Sequence, residues 1–279
     1  MAETVRIGNV ELGAGRPLAL IAGPCALESE ALALDVAGFL RDVTGTLGIP
    51  LVFKSSYLKD NRLSPGAYAG PGMETGLRIL ARVKADFGVP VLSDVHERSE
   101  IAPAAAVLDA LQIPAFLCRQ TRLVEAAAAT GKPLNIKKGQ FMAPEDMGRV
   151  ARKAEAAGQG GVLLTERGTT FGYHDLIVDM RSIRVMQGLG WPVIFDATHS
   201  VQRPGAAGGA SGGSPEFVPL LARAAAAAGC DALFIETHPK PSEALSDALS
   251  MIALADLRPV LEQALEASSA APRRRGPEA

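Results

Sequence analysis

An α/β fold, a single (β/α)8 barrel of the TIM type carrying an N-terminal β-hairpin, is the architecture this sequence predicts. Three features predict it. Short apolar runs recur along the chain: Leu18–Ala22, Leu51–Lys54, Val89–Asp94, Ala110–Ile113, Leu134–Lys137, Val162–Arg167, Val193–Ala197 and Ala232–Glu236. Stretches long enough for a helix separate them, and several are Ala-rich: Glu125–Thr130, Ala151–Ala157 and Arg223–Ala228. At or just past the C-terminal ends of the runs stand Cys25, Lys54, Asp94, Gln112, Lys137, Arg167, His199 and Glu236. A strand and a crossover helix, repeated, close a barrel whose active site sits at the strand C-termini. The reactive groups therefore gather at one mouth.

In chain order, residues 4–15 (TVRIGNVELGAG) read as two short strands around Gly8-Asn9, a hairpin signal, and such a hairpin is placed to plug the N-terminal end of the barrel. The first run leads through Gly23-Pro24 to Cys25; the second ends on Lys54, with Lys59 and Arg62 beyond it. Asp94 ends the third run, with His96 placed to line the site; Gln112 lies in the fourth, with Cys118 and Arg119 after it. Lys137 and Lys138 end the fifth. Arg167 ends the sixth and is followed by Gly168–Gly172 (GTTFG), which reads as a tight backbone loop near a ligand. Asp196, in the seventh, is placed to orient a neighbouring cation or histidine. The Gly-rich Pro204–Ser214 resembles an interdomain linker, but the eighth run comes after it and must close the barrel. It is better read as a loop over the site, acting as a lid. The catalytic domain is expected to span residues 1–267. The remaining 268–279, rich in Ala, Pro and Arg without apolar periodicity, is expected to be a disordered tail.

Bulk composition narrows the function. A chain of 279 residues, 48% hydrophobic, is long enough for one large core. A formal charge of -2 exerts no global pull toward nucleic acid or anionic membrane. Cys25, Cys118 and Cys230 are odd in number and far apart, which argues against a secreted disulfide framework. The N-terminus lacks a basic region followed by an apolar one, and no apolar run is long enough to span a bilayer. A cytoplasmic enzyme is the expectation.

Two groups of side chains point to chemistry. Lys54, Lys59, Arg62, Arg119, Lys137, Lys138 and Arg167 are cations at or after strand ends. Side chains alternate along a strand, so some of them cross the mouth, where they repel unless an anion sits between them. A substrate bearing phosphate, or phosphate and carboxylate, satisfies that demand. Cys25, His199, Glu236 and His238 end the first, seventh and eighth runs, neighbours once a barrel closes, and Asp247 follows. Thiolate, imidazole and carboxylate form a mixed set suited to a divalent zinc, iron, manganese or cobalt ion. Each also has an inert reading. Cys25 serves equally as a small core residue. Asp247 or Ser246 serves as the N-cap of a helix beginning near Ala248, and the histidines serve as hydrogen-bonded structural residues.

FKSSYLKDNR (53–62), SDVHE (93–97), QIPAFLCRQT (112–121), NIKKGQF (135–141), LTERGTTFGYHDLIVDMRS (164–182), FDATHSVQ (195–202), ASGGSPEF (210–217) and IETHP (235–239) follow one another in order. Together they resemble the 3-deoxy-D-manno-octulosonate 8-phosphate synthases, in their metal-dependent form, over roughly residues 15 to 265. The resemblance implies a (β/α)8 homotetramer, a transferase condensing phosphoenolpyruvate with arabinose 5-phosphate toward lipopolysaccharide. It implies Cys25, His199, Glu236 and Asp247 as metal ligands. Lys54, Lys59, Gln112, Ala115, Lys137, Arg167 and His199 would bind phosphoenolpyruvate, with Lys54, Lys59 and His199 in the chemistry. Asn61, Arg62 and Asp94 would contact the acceptor, and Arg119 would reach its phosphate from a neighbouring subunit. Cys25 stands where the metal-independent branch has Asn.

The acceptor loop departs from the pattern. The family typically reads K-A-N-R-S-S or K-A-N-R-T-S there, whereas this chain has Lys59-Asp60-Asn61-Arg62-Leu63-Ser64, with Ala69 in place of an Arg. Losing one charge-assisted phosphate contact weakens binding by roughly 1.5–3 kcal/mol. Asp60 adds negative charge beside it, and Ser64 is placed to supply the lost hydroxyl. Three rivals follow. One is 3-deoxy-D-arabino-heptulosonate 7-phosphate synthesis from erythrose 4-phosphate, whose K-P-R-T-S loop Asn61 speaks against. The second is a Schiff-base aldolase using Lys137 or Lys138. The third is a sugar-phosphate-binding barrel without turnover.

Overall fold

The computed structural model describes residues 4–61, 66–170, 173–205 and 212–271. Its barrel strands are β1 (Ala19–Gly23), β2 (Leu51–Lys54), β3 (Val91–Asp94), β4 (Ala110–Ile113), β5 (Leu134–Lys137), β6 (Val162–Glu166), β7 (Val193–Asp196) and β8 (Ala232–His238). All pair in parallel with their sequence neighbours, and β8 pairs with both β7 and β1, so the sheet closes. The predicted runs match these strands to within two residues; β8 continues two residues further, to His238, where Ile252–Ala253 pairs with its end.

The helices α1 (Glu30–Leu47), α2 (Met73–Phe87), α3 (Arg98–Val107), α4 (Thr121–Ala128), α5 (Met147–Ala157), α6 (Arg181–Gly188), α7 (Val218–Ala228) and α8 (Leu254–Ser269) alternate with the strands. Local chemistry sets their limits. Ser29 Oγ accepts the Leu32 amide at 3.1 Å to start α1, and Gly48 ends it in the left-handed region. In α5, Met147, Val150, Ala151 and Ala154 recur at helical spacing and form the buried face. α8 runs on to Ser269, past the boundary at 267 that composition suggests; the expected tail from 272 lies outside the described residues.

Two apolar cores result. The larger lies between strands and helices; the smaller fills the barrel with Ala19, Ile21, Val52, Leu92, Ala110, Leu163, Ile194, Ala232 and Phe234. Val5, Ile7, Val10 and Leu12 belong to that inner core. They come from the antiparallel hairpin Thr4–Ile7/Val10–Gly13, whose turn uses Gly8 at φ 57°. The hairpin thus plugs the barrel, as expected from the two short strands around Gly8-Asn9. At the other end, Phe234 forms the floor of the mouth, its ring centroid 3.9 Å from Lys137 Nζ and 5.4 Å from Lys54 Nζ.

Candidate active site

A cavity of about 640 Å³ opens at the C-terminal ends of the strands. Lys54, Lys59, Asn61, Asp94, Gln112, Ala115, Lys137, Arg167, His199 and Asp247 all line it, as does His96. Parallel pairing explains the convergence: Lys54 lies beside Leu92, Asp94 beside Gln112, and Glu236 beside Gly23, so successive strands end at one level. The β1 and β2 ends are stitched together as well, with the Ser56 amide donating to Cys25 O at 3.2 Å and Ser55 Oγ to Pro24 O at 2.8 Å.

The cations do not meet bare. Lys54 Nζ donates to Glu236 Oε1 at 3.0 Å and to Ser56 Oγ at 3.0 Å, with Asp94 Oδ1 at 3.8 Å. Lys59 Nζ lies 4.0 Å from Glu236 Oε1, and Lys137 Nζ donates to Asp196 Oδ2 at 2.5 Å. Buried carboxylates thus alternate with the cations, so the mutual repulsion inferred from the sequence is largely offset within the protein. Burial acts on Lys59 to lower its pKa, but Cys25, then Glu236, Asp94 and Asp247, outweigh it and hold the ammonium well above its ordinary value. Lys137 moves the other way: burial exceeds the pull of Asp196 and lowers it.

What remains for an anion is narrower and better defined. Arg167 is buried; its Nη2 donates to Gln202 Oε1 at 2.7 Å, while Nη1 is buried without a hydrogen-bond partner among the described residues. An unpaired buried guanidinium donor is costly, and a bound oxyanion removes that cost. The loop under Arg167 is fixed by Glu166, whose Oε1 accepts the Arg167 and Gly168 amides at 3.0 and 2.7 Å. Lys138 is fully buried, 3.4 Å from Glu166 Oε1, and donates to Thr169 Oγ1 at 3.1 Å. It does not line the cavity. The Schiff-base reading for Lys138 fails because its side chain does not reach the cavity.

Cys25, Glu236 and Asp247 bring Sγ and carboxylate oxygens within 4.8 Å of one another. Cys25 Sγ lies 2.9 Å from Asp247 Oδ2. Glu236 Oε2 is buried with no hydrogen-bond partner among the described residues. His199 stands beside this trio, its Nε2 3.6 Å from Glu236 Oε2 and its Nδ1 2.8 Å from Asp196 Oδ2. Asp196 therefore orients both His199 and Lys137, as the sequence suggests, and leaves Nε2 directed toward Glu236. Burial, then Asp247 and Glu236, push the Cys25 thiol well up. Burial raises Glu236 too, but His199, Lys54 and Lys59 overcome it and keep the carboxylate ionised. A soft sulfur, two carboxylates, one orphaned oxygen and an aimed imidazole fit a divalent borderline ion. The capping alternative for Asp247 fails, because no helix begins at Ala248; α8 starts at Leu254, and Asp247 sits in a loop at φ 50°.

The structure leaves some expected residues apart. Arg119 is exposed and does not line its own protomer's cavity. Arg62, Leu63 and Ser64 lie outside the described residues, as does most of the proposed lid; Pro204 and Gly205 at its start do line the cavity. Ala69 holds Lys59 through its backbone, accepting the Lys59 amide at 2.7 Å.

Other contributors carry little sequence signal. Ser56 Oγ donates to Asp94 Oδ1 at 2.5 Å, and His96 Nε2 lies 3.1 Å from Asp94 Oδ2. Tyr57 Oη donates to Glu100 Oε2 at 2.8 Å, behind His96. Burial lowers the His96 pKa, but Asp94 and Glu100 outweigh it and push it up to about 9. Gln202, at the end of the FDATHSVQ segment, bridges Arg167 to Asp247; only its position after His199 could have marked it.

The family model for the DAHP synthetase I family matches residues 2–271. A 2-dehydro-3-deoxyphosphooctonate aldolase of Pelobacter propionicus is 57% identical over 270 residues, 97% of this chain and 99% of that protein. The proteins of the same name from Trichlorobacter lovleyi and Methylococcus capsulatus are 56% and 55% identical. They cover 96% of this chain each, and 99% and 96% of their own lengths. With a closed barrel, a cation-lined mouth and relatives of one name along almost its full length, the chain belongs to the DAHP synthetase I family.

Proposed function

We propose that this protein condenses phosphoenolpyruvate with arabinose 5-phosphate and water, giving 3-deoxy-D-manno-octulosonate 8-phosphate and inorganic phosphate, a precursor step for lipopolysaccharide. The observation that carries the reading is that Arg167, Lys54, Lys59, Lys137 and Gln112 line one cavity at the strand C-termini. The relatives named 2-dehydro-3-deoxyphosphooctonate aldolase supply the reaction. Arg167, Lys137, Lys54 and Gln112 hold the phosphate and carboxylate of phosphoenolpyruvate, with Ala115 against it. C3 of phosphoenolpyruvate attacks the acceptor aldehyde, and Lys59, kept protonated by Cys25 and the carboxylates around it, donates to the oxygen that becomes a hydroxyl. Water adds at C2, and the hemiketal phosphate breaks its C–O bond to release phosphate. Asn61, Arg62 and Asp94 orient the sugar. Arg119 reaches its phosphate across an interface in a homotetramer.

Cys25, His199, Glu236 and Asp247 would hold a divalent ion, manganese, iron(II), zinc or cobalt, which supplies Lewis acidity at the acceptor end when bound. Asp196 fixes the ring of His199 and Lys54 fixes Glu236, so that part of the ligand set is oriented in advance. No helix among the described residues is long and apolar enough to cross a membrane.

The test is phosphate release from phosphoenolpyruvate by Mn2+-reconstituted protein with arabinose 5-phosphate, erythrose 4-phosphate, ribose 5-phosphate or unphosphorylated arabinose. Preference for arabinose 5-phosphate, abolished by a chelator and restored by Mn2+, is expected. Turnover that survives exhaustive chelation would remove the metal requirement; preference for erythrose 4-phosphate would move the acceptor.

A further inference from the structure

Gln202 touches both halves of the site. It begins the antiparallel ribbon Gln202–Arg203/Gly212–Gly213 and is buried. Its Oε1 accepts Arg167 Nη2 at 2.7 Å, and its Nε2 donates to Asp247 Oδ1 at 3.0 Å. A guanidinium only donates and an ionised carboxylate only accepts, so the two partners together fix which way the amide faces. Each partner keeps a second atom for something else. Arg167, which lines the cavity, keeps a buried Nη1 with no partner among the described residues, and Asp247 Oδ2 lies 2.9 Å from Cys25 Sγ. The ribbon is also packed against the loop that carries Asp247: a Cβ added at Gly213 would lie 2.3 Å from Leu249 O. Asp247 itself has φ 50°, in the left-handed region that Asp enters more readily than most non-glycine residues.

We infer that Gln202 is a positioning residue that couples the two halves, so that phosphoenolpyruvate on Arg167 and a divalent cation on Asp247 each tighten the binding of the other. The physical basis is shared ordering. A ligand at either end pins the amide, and the second ligand then binds a partner already fixed. Such coupling is reciprocal: whatever factor the anion exerts on the cation, the cation exerts on the anion. The inference rests on the metal and phosphoenolpyruvate reading proposed above.

The experiment uses the full chain after chelation. Mn2+ affinity is read by electron paramagnetic resonance with and without phosphoenolpyruvate, and phosphoenolpyruvate affinity by calorimetry with and without Mn2+. In the unaltered chain each ligand should tighten the other by about five-fold or more. Gln202→Met keeps the length and loses both polar groups, and its coupling ratio should fall to about one. Gln202→Glu keeps an acceptor for Arg167 but loses the donor to Asp247. It should retain more phosphoenolpyruvate affinity than Gln202→Met while also losing the coupling, and it serves as the readout if Gln202→Met does not fold. Undiminished coupling in either folded variant would overturn the inference and leave the proposed function standing. An unaltered chain that binds phosphoenolpyruvate but no Mn2+ would overturn the metal reading, and the coupling with it.

Discussion

Arg167 shows how much one side chain's surroundings decide. A lysine there keeps the charge but loses the fork that lets Nη2 bind Gln202 while Nη1 stays free for an anion. Arg167→Lys is expected to raise the KM for phosphoenolpyruvate by about ten- to a hundredfold, the cost of a lost charge-assisted contact. An unchanged KM in steady-state assays would deny Arg167 that role. His96 gives a pH prediction. Its pKa is about 9 in the folded chain against an ordinary 6.5. Its stabilisation is therefore complete below pH 6.5 and disappears as pH rises through 9. The gap in unfolding free energy between the unaltered chain and His96→Gln should shrink by up to ~3 kcal/mol over that range. Urea titrations giving a gap independent of pH would refute the Asp94–His96–Glu100 pairing. The strand-end position of His96 was readable in the sequence; Glu100 and Tyr57 behind it were not, because neither belongs to a strand end.

Among the elements, the hairpin has the clearest energetic role. Ile7 and Leu12 are fully buried in the inner core and close its lower end. Ile7→Ala is expected to destabilise the chain by about 2–5 kcal/mol while leaving the KM for phosphoenolpyruvate unchanged, since the cavity is at the opposite end. Denaturant midpoints together with KM would test this; a small loss of stability would mean that the plug is loosely seated. The hairpin was legible because Gly8-Asn9 and alternating apolar residues are local signals. The loop after β8 was not. A sequence window around Asp247 favours a helix cap over a ligand, and only the structure shows that no helix begins there and that the loop packs against Cys25.

For the whole molecule, Arg119 poses a question that one chain cannot answer alone. It is exposed and outside its own cavity, yet it lies in a segment whose resemblance implies a role in a neighbour's site. If it acts across an interface, Arg119→Ala and Arg167→Lys subunits, each impaired alone, should recover activity when refolded together, because mixed assemblies contain sites with both arginines. Mixtures no more active than the average of the two would place Arg119 outside the reaction. The sequence by itself determined the barrel, its plug and the strand-end identity of Lys54, Asp94, Gln112, Lys137, Arg167 and Glu236. Those follow from apolar periodicity and from the rule that such barrels present their strand C-termini at one face. Only the tertiary structure decided how those charges pair, that Lys138 is buried away from the mouth, and that Gln202 spans Arg167 and Asp247. Pairing depends on distances between residues far apart in the chain, and closure of the sheet sets those distances where no local pattern can.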